Sequence, residues 1–162
     1  MKTKNLRLIT ILLFLLPVCI ALLGAGCDDE NEYSDLAEGY VVGSFIGYED
    51  SVDGQGTENK TPRGYCILLE GSENNSMDFY TFNFPDTLFS FPDGVISSYN
   101  TYNCGPAFFP DSLKYDYKIV FKYQIVNESD EVQFTIGPCF HLGPEFLWKY
   151  YDQVIVTEIA KN

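Results

Sequence analysis

The chain has 162 residues, with 23 acidic against ten basic side chains, a net charge of −13, one histidine, twelve tyrosines and thirteen phenylalanines. Such a balance repels phosphate backbones, because nucleic-acid affinity rests on Lys and Arg neutralising phosphates, and it argues against a nucleic-acid partner. The aromatic content, together with Val and Ile, is too high for a hydrophilic tail and points to strands around a single core.

The first 26 residues carry an address. Lys2, Lys4 and Arg7 form a basic head, residues 8–23 are apolar apart from Thr10, Pro17 and Cys19, and Gly24, Ala25 and Gly26 supply small residues. This is the pattern of a cleaved secretion signal. The run is also short for a membrane-spanning helix, which takes ~20 consecutive apolar residues. Cys27 follows at once, then Asp28, Asp29 and Glu30.

The junction resembles a bacterial lipobox, although Gly24 stands where Leu is usual. The resemblance implies that residues 1–26 are removed and that Cys27 is lipidated. Several acyl chains at ~0.8 kcal/mol per buried methylene make such an anchor effectively permanent. The acids after Cys27 resemble the export signal of surface lipoproteins of Bacteroidota, which implies the outer membrane with the domain facing the cell exterior. A solvated spacer on the periplasmic face is the alternative. Asp50-Ser51-Val52, Asp86-Thr87-Leu88 and Asp111-Ser112-Leu113 resemble the tripeptide that this group O-glycosylates, which implies modification at Ser51, Thr87 and Ser112. Without residues 1–26 the chain keeps seven basic residues (ten less Lys2, Lys4 and Arg7) against 23 acidic ones, a net charge of −16. Acids also recruit Ca²⁺, but no loop of calcium-binding spacing is present, and neither a metal nor a cofactor is expected.

Residues 27–39 are acidic and poor in apolar groups, and read as a disordered tether. The β domain is expected over 40–162. Residues 40–48 read as a first strand, with Val42, Ile46 and Tyr48 on one face and Val41 and Phe45 on the other. A loop over 50–63 leads to strands at 63–70 and 78–84, joined by a polar turn at 71–76. In the second of these, Tyr80, Phe82 and Phe84 are expected opposite Phe79, Thr81 and Asn83. Residues 86–110 lose all pattern, and irregular segments of that length inside a small domain tend to be functional or to hold structure of their own.

Regularity returns at 117–126, where Tyr117, Ile119, Phe121, Tyr123 and Ile125 share a face. A turn at 127–130 hands it to Val132, Phe134 and Ile136 as a hairpin partner. After a second irregular segment, 137–150, a last strand at 152–160 sets Ile155 and Ile159 against Val154 and Val156. No segment has sustained helical spacing.

Five or six strands in this order, with Phe109-Pro110-Asp111-Ser112-Leu113 leading into the long alternating strand, resemble the small OB-fold-like β-barrel lipoproteins of Bacteroidota. The expected fold is therefore all-β, a five- to six-stranded antiparallel OB-like barrel, with an immunoglobulin-like sandwich as the alternative. The helix usual between the third and fourth strands of that family has no amphipathic candidate.

An oxidising compartment favours disulfides. Cys104 and Cys139 lie in the two irregular segments, both beside proline, and are expected to pair, whereas Cys66, amid Tyr65, Ile67 and Leu68, reads as a buried thiol. Cys139 with His141 makes a poor half of a zinc site. Nothing in the spacing supports catalysis, because carboxylate pairs are recognised across a cleft and a Cys–His pair two residues apart lacks an orienting group. Aromatics concentrate in the irregular segments, among them Tyr99, Tyr102, Phe108 and Trp148. They serve either to fill the ends of the barrel or as a platform for glycan or protein. The expected function is a lipid-anchored, non-catalytic envelope module that binds glycan or an envelope protein. An extracytoplasmic hydrolase and a purely structural protein are the alternatives.

Overall fold

The computed structural model describes residues 34–49, 60–97, 100, 102–136 and 143–162. Seven strands form one mixed sheet: β1 (Ala37–Glu49), β2 (Lys60–Leu69), β3 (Phe79–Thr81), β4 (Ala107–Phe108), β5 (Lys118–Ile125), β6 (Phe134–Thr135) and β7 (Asp152–Lys161). Five of them close a ring in the order β1-β2-β3-β7-β5 and back to β1. The fold is all-β, and the described residues hold no α-helix, only two single 3₁₀ turns at Asp111–Leu113 and Trp148–Tyr150.

The ring corrects three expectations. It is not wholly antiparallel, because β3 and β7 run parallel. The strands share one sheet, so they do not divide into the two facing sheets of a sandwich. The expected hairpin between 117–126 and 132–136 does not form: β6 pairs with β1 at Tyr48 and Glu49, and β5 pairs with β7. The first strand also begins before the expected start at residue 40, since β1 opens at Ala37. Ahead of it Ser34 is clasped to β5, its N–H donating to the Tyr123 carbonyl at 2.7 Å and its hydroxyl accepting from the Tyr123 N–H at 3.0 Å.

All five ring strands contribute to an interior cluster: Val41 from β1, Ile67 from β2, Phe79 from β3, Phe121 from β5 and Val154 from β7 are nearly or fully buried in it. A second cluster forms on the opposite face of β1 and β2, from Val42, Phe45, Cys66 and Leu68 with Met77 and Tyr80. Strand β2 thus buries both faces, Tyr65 and Ile67 inward and Cys66 and Leu68 outward. What makes the outer face a core is its cover: Phe134 of β6, Phe146 and Trp148 from the second irregular segment, and Tyr151 just after it pack onto it.

Bulges shift the phase of the strands. A register shift between Val41 and Gly43 places Val42 and Phe45 in one cluster and Val41 in the other. In β7, Glu158 takes φ 49° beside a shift in the pairing with β5, and Ile159 turns to the interior with Val154 and Val156 while Ile155 stays exposed. Strand β3 ends at Thr81, short of the expected 84. Beyond it the Asn83 side chain continues the ladder, its amide donating to the Val156 carbonyl at 2.9 Å and accepting from the Val156 N–H at 3.0 Å. The backbone is freed to bend, and Phe84 joins Phe79 inside, not Tyr80 and Phe82 outside.

Residues 86–96, which show no pattern in the sequence, cover the interior cluster where a helix was missing. Two four-residue turns, Pro85-Asp86-Thr87-Leu88 and Pro92-Asp93-Gly94-Val95, are each closed by a hydrogen bond to the proline carbonyl, at 3.0 and 3.2 Å. Gly94 takes φ 82° at the third position of its turn, a conformation that favours glycine. Between the turns Phe89 and Phe91 pack on Tyr117, with ring centroids 5.3 and 4.6 Å away.

Candidate functional site

Among the described residues, the sequence-predicted aromatics Tyr102, Phe108 and Trp148 do not form one exposed platform. Tyr102 is 54% exposed on a tight turn, where the Asn100 side chain accepts its N–H at 2.9 Å. Phe108 stands at 37% exposure with its ring 6.1 Å from Phe146. Trp148 turns the other way: its ring lies 4.5 Å from Phe45 and 5.5 Å from Tyr80, and its indole N–H donates to the Cys104 carbonyl at 3.2 Å. Its first role is therefore to close the outer core. Tyr99 lies outside the described residues.

The turn bearing Tyr102 is stitched to the second irregular segment. Phe146 N–H donates to Asn103 at 2.8 Å and Gly143 N–H to Tyr102 at 3.2 Å. Gly105 is obligatory, because a Cβ there would stand 2.8 Å from Phe146. Between them Cys104, at φ 57°, is disulfide-bonded. Its expected partner Cys139 lies outside the described residues, as do His141, Cys27 and Ser51. Cys66 is a free, fully buried thiol, and burial pushes its pKa up, away from the thiolate that a nucleophile needs. Thr87 and Ser112 are both exposed.

Two concave regions draw charged groups together, and neither centres on the predicted aromatics. The first is a cleft of about 490 Å³ where β5 ends and β7 begins. Its wall is Tyr80, Phe134 and Trp148, part of the outer cluster, and its rim carries Glu128, Glu131 and Asp152. Burial raises the Glu131 carboxyl above its ordinary value, and the negative charges of Glu128 and Asp152 raise it further. The Tyr80 hydroxyl is pushed up to about 12 by burial, with Glu131 and Asp152 adding to the effect. Lys149 also lines the cleft, its ammonium 5.4 Å from the centre of the Tyr150 ring. Among the described residues the ion pairs join Lys118 to Glu38 and Glu70, and Lys122 to Glu158, so none neutralises the three rim carboxylates.

The second is a recess of about 380 Å³ on the side covered by residues 86–96. Tyr65, Phe89 and Phe91 form its floor, and Arg63, Asp86 and Asp93 its rim. The Tyr65 hydroxyl donates to Asp86 at 2.9 Å, and burial together with that carboxylate pushes its pKa up to about 12.

Sequence reasoning missed both places. The acids at 128–131 read as an ordinary turn, and the only trace of the recess was the Pro-Asp pair repeated at 85–86 and 92–93. Among the described residues no group of three or more His, Cys, Asp and Glu is placed to hold a metal. Fold and geometry together define an all-β domain with an aromatic-backed acidic cleft. Comparison with protein-family models, curated proteins and solved structures finds no match to this chain.

Proposed function

We propose that the chain is a lipid-anchored envelope protein whose domain works as a non-catalytic binding module, receiving a basic segment of another envelope protein in the cleft beside Trp148. The observation that carries this reading is a cleft with three carboxylates in one rim, none in an ion pair among the described residues, over an aromatic wall. A Lys or Arg side chain brings positive charge to Glu128, Glu131 and Asp152 and lays its alkyl stem on the rings. The overall negative charge speeds the approach of such a partner. The rings themselves are mostly spent on the core, which disfavours flat stacking of a sugar here.

The test is calorimetric titration of the purified protein with an acetylated trilysine amide, and with a trialanine amide as control. Binding that weakens with salt and falls about tenfold in Glu131→Gln and Asp152→Asn supports the reading, a loss of ~1.4 kcal/mol per site. Equal affinity for the two peptides rejects it. The anchor is tested separately: Cys27→Ser leaves the membrane fraction, and protease added to whole cells digests the native domain if it faces outward.

A hydrolase has one observation in its favour, the raised carboxyl of Glu131 beside Asp152 in a cleft, which is the environment of a general acid. Turnover of aryl glycosides that disappears in Glu131→Gln would establish it in place of the binding module.

A further inference from the structure

The recess over Tyr65 is separate from the cleft and presents different chemistry. Two of its three charged groups are held before any ligand arrives. Arg63 Nη1 donates to the Ser97 carbonyl at 2.8 Å and to Ser44 Oγ at 3.3 Å, which pins the guanidinium. Its Nη2 and Nε make no hydrogen bond to a described residue. One Asp86 oxygen is held by the Tyr65 hydroxyl at 2.9 Å, which leaves the other oxygen. Asp93 sits at the second position of the Pro92 turn, at the mouth of the recess, and its carboxylate accepts nothing from a described residue. Beneath them the floor is aromatic, with Tyr65 and Phe91 nearly parallel at 20° and 6.0 Å.

We propose that this recess binds one pyranose unit of a neutral saccharide. Each alternative chemistry meets an obstacle. An anion faces Asp86 and Asp93 and the overall negative charge. A cation faces the fixed Arg63. A purely apolar ligand strips water from three charged side chains without replacing its hydrogen bonds. A neutral polyol meets none of these. Each of its hydroxyls both donates and accepts, so neighbouring hydroxyls pair at once with an acceptor-only carboxylate and a donor-only guanidinium. The C–H face of the ring then lies on Phe89 and Phe91. The volume falls within the ~300–1,000 Å³ of small-molecule sites. Pinning Arg63 and Asp86 in advance lowers the ordering cost on binding.

The test is saturation-transfer NMR on the purified full-length chain, with the methyl pyranosides of glucose, galactose, mannose and N-acetylglucosamine as probes and adenine as a flat control that carries no sugar. The expected result is transfer to the ring C–H protons of at least one pyranoside, with affinity reduced about tenfold or more in Asp93→Asn and Arg63→Gln. Asp93→Ala guards against a folding artefact, because Asp93 supports no described hydrogen bond and its melting point stays native. Glu131→Gln leaves this binding unchanged, which separates it from the cleft. Silence for all four pyranosides, transfer that survives intact in Asp93→Asn, Asp93→Ala and Arg63→Gln, or stronger transfer to adenine than to any sugar would each overturn the proposal.

Discussion

Individual side chains take over work that backbone usually does. The Asn83 amide supplies both partners of a ladder hydrogen-bond pair to Val156, so Asn83→Ala leaves the Val156 groups to find water at the ring's edge. A loss of about 1–3 kcal/mol is expected in urea unfolding, with a smaller loss for Asn83→Asp, which keeps the acceptor. Phe45 lies over the glycine-bare backbone of Gly64 and within ring contact of Tyr80, Phe82, Phe134 and Trp148. Gly64→Ala drives a methyl into that ring and is expected to cost about 1–3 kcal/mol by overpacking. Glu131 has the opposite sign. Its carboxyl is raised above 4.5 in the fold, so its contribution to stability is full below that value and is lost as pH rises through the raised one. Glu131→Gln, neutral throughout, therefore melts above the native protein at pH 7, and the gap closes below about pH 4.5. A melt series across pH that shows a constant gap would rule out this cause.

At the scale of elements, the informative part is the second irregular segment. Residues 143–151 are an outer wall built on β1 and β2, and the cleft lies between the end of that wall, from Trp148 to Asp152, and the turn after β5. Trp148→Ala is accordingly expected to cost about 3 kcal/mol of stability, because the ring leaves four aromatic neighbours and the indole N–H no longer donates to the Cys104 carbonyl. Thermal melting of the variant checks this, and a native melting point would return the ring to the surface. The same expectation separates structure from recognition: Glu131→Gln changes binding in a fully stable fold, and Trp148→Ala changes both. In β7 the bulge at Glu158 turns Ile159 inward. Alternation alone puts Ile159 with Ile155, and a left-handed residue that is not glycine gives no signal in a period of two.

For the whole molecule, the Cys104 disulfide fastens the neighbourhood of the 100–105 turn, which also holds the wall through Phe146 and Trp148. Reductant is expected to lower stability by about 2–4 kcal/mol, and non-reducing peptide mapping should recover Cys104 joined to Cys139, leaving Cys66 alkylated only after unfolding. A Cys104 peptide joined to another partner would refute that pairing. The sequence by itself determined the all-β class, the inward faces of 117–123 and of Val154 and Val156, and the burial of Cys66, because a strand's side chains alternate and an apolar face declares its period locally. It also placed Tyr102, Phe108 and Trp148 together among the aromatics of irregular chain, but it could not say that the first two are exposed and that Trp148 faces the core, since one ring serves equally as platform or cover. Only the tertiary structure decided that β3 meets β7 in parallel, that β6 joins β1, and that Asp86 and Asp93 share a rim with Arg63 while Glu131 shares one with Asp152. These are encounters between residues far apart in the chain or placed by turns and bulges. Their physical cause is the closure of the ring and the two covers that fill its interior and outer faces, which no local pattern encodes.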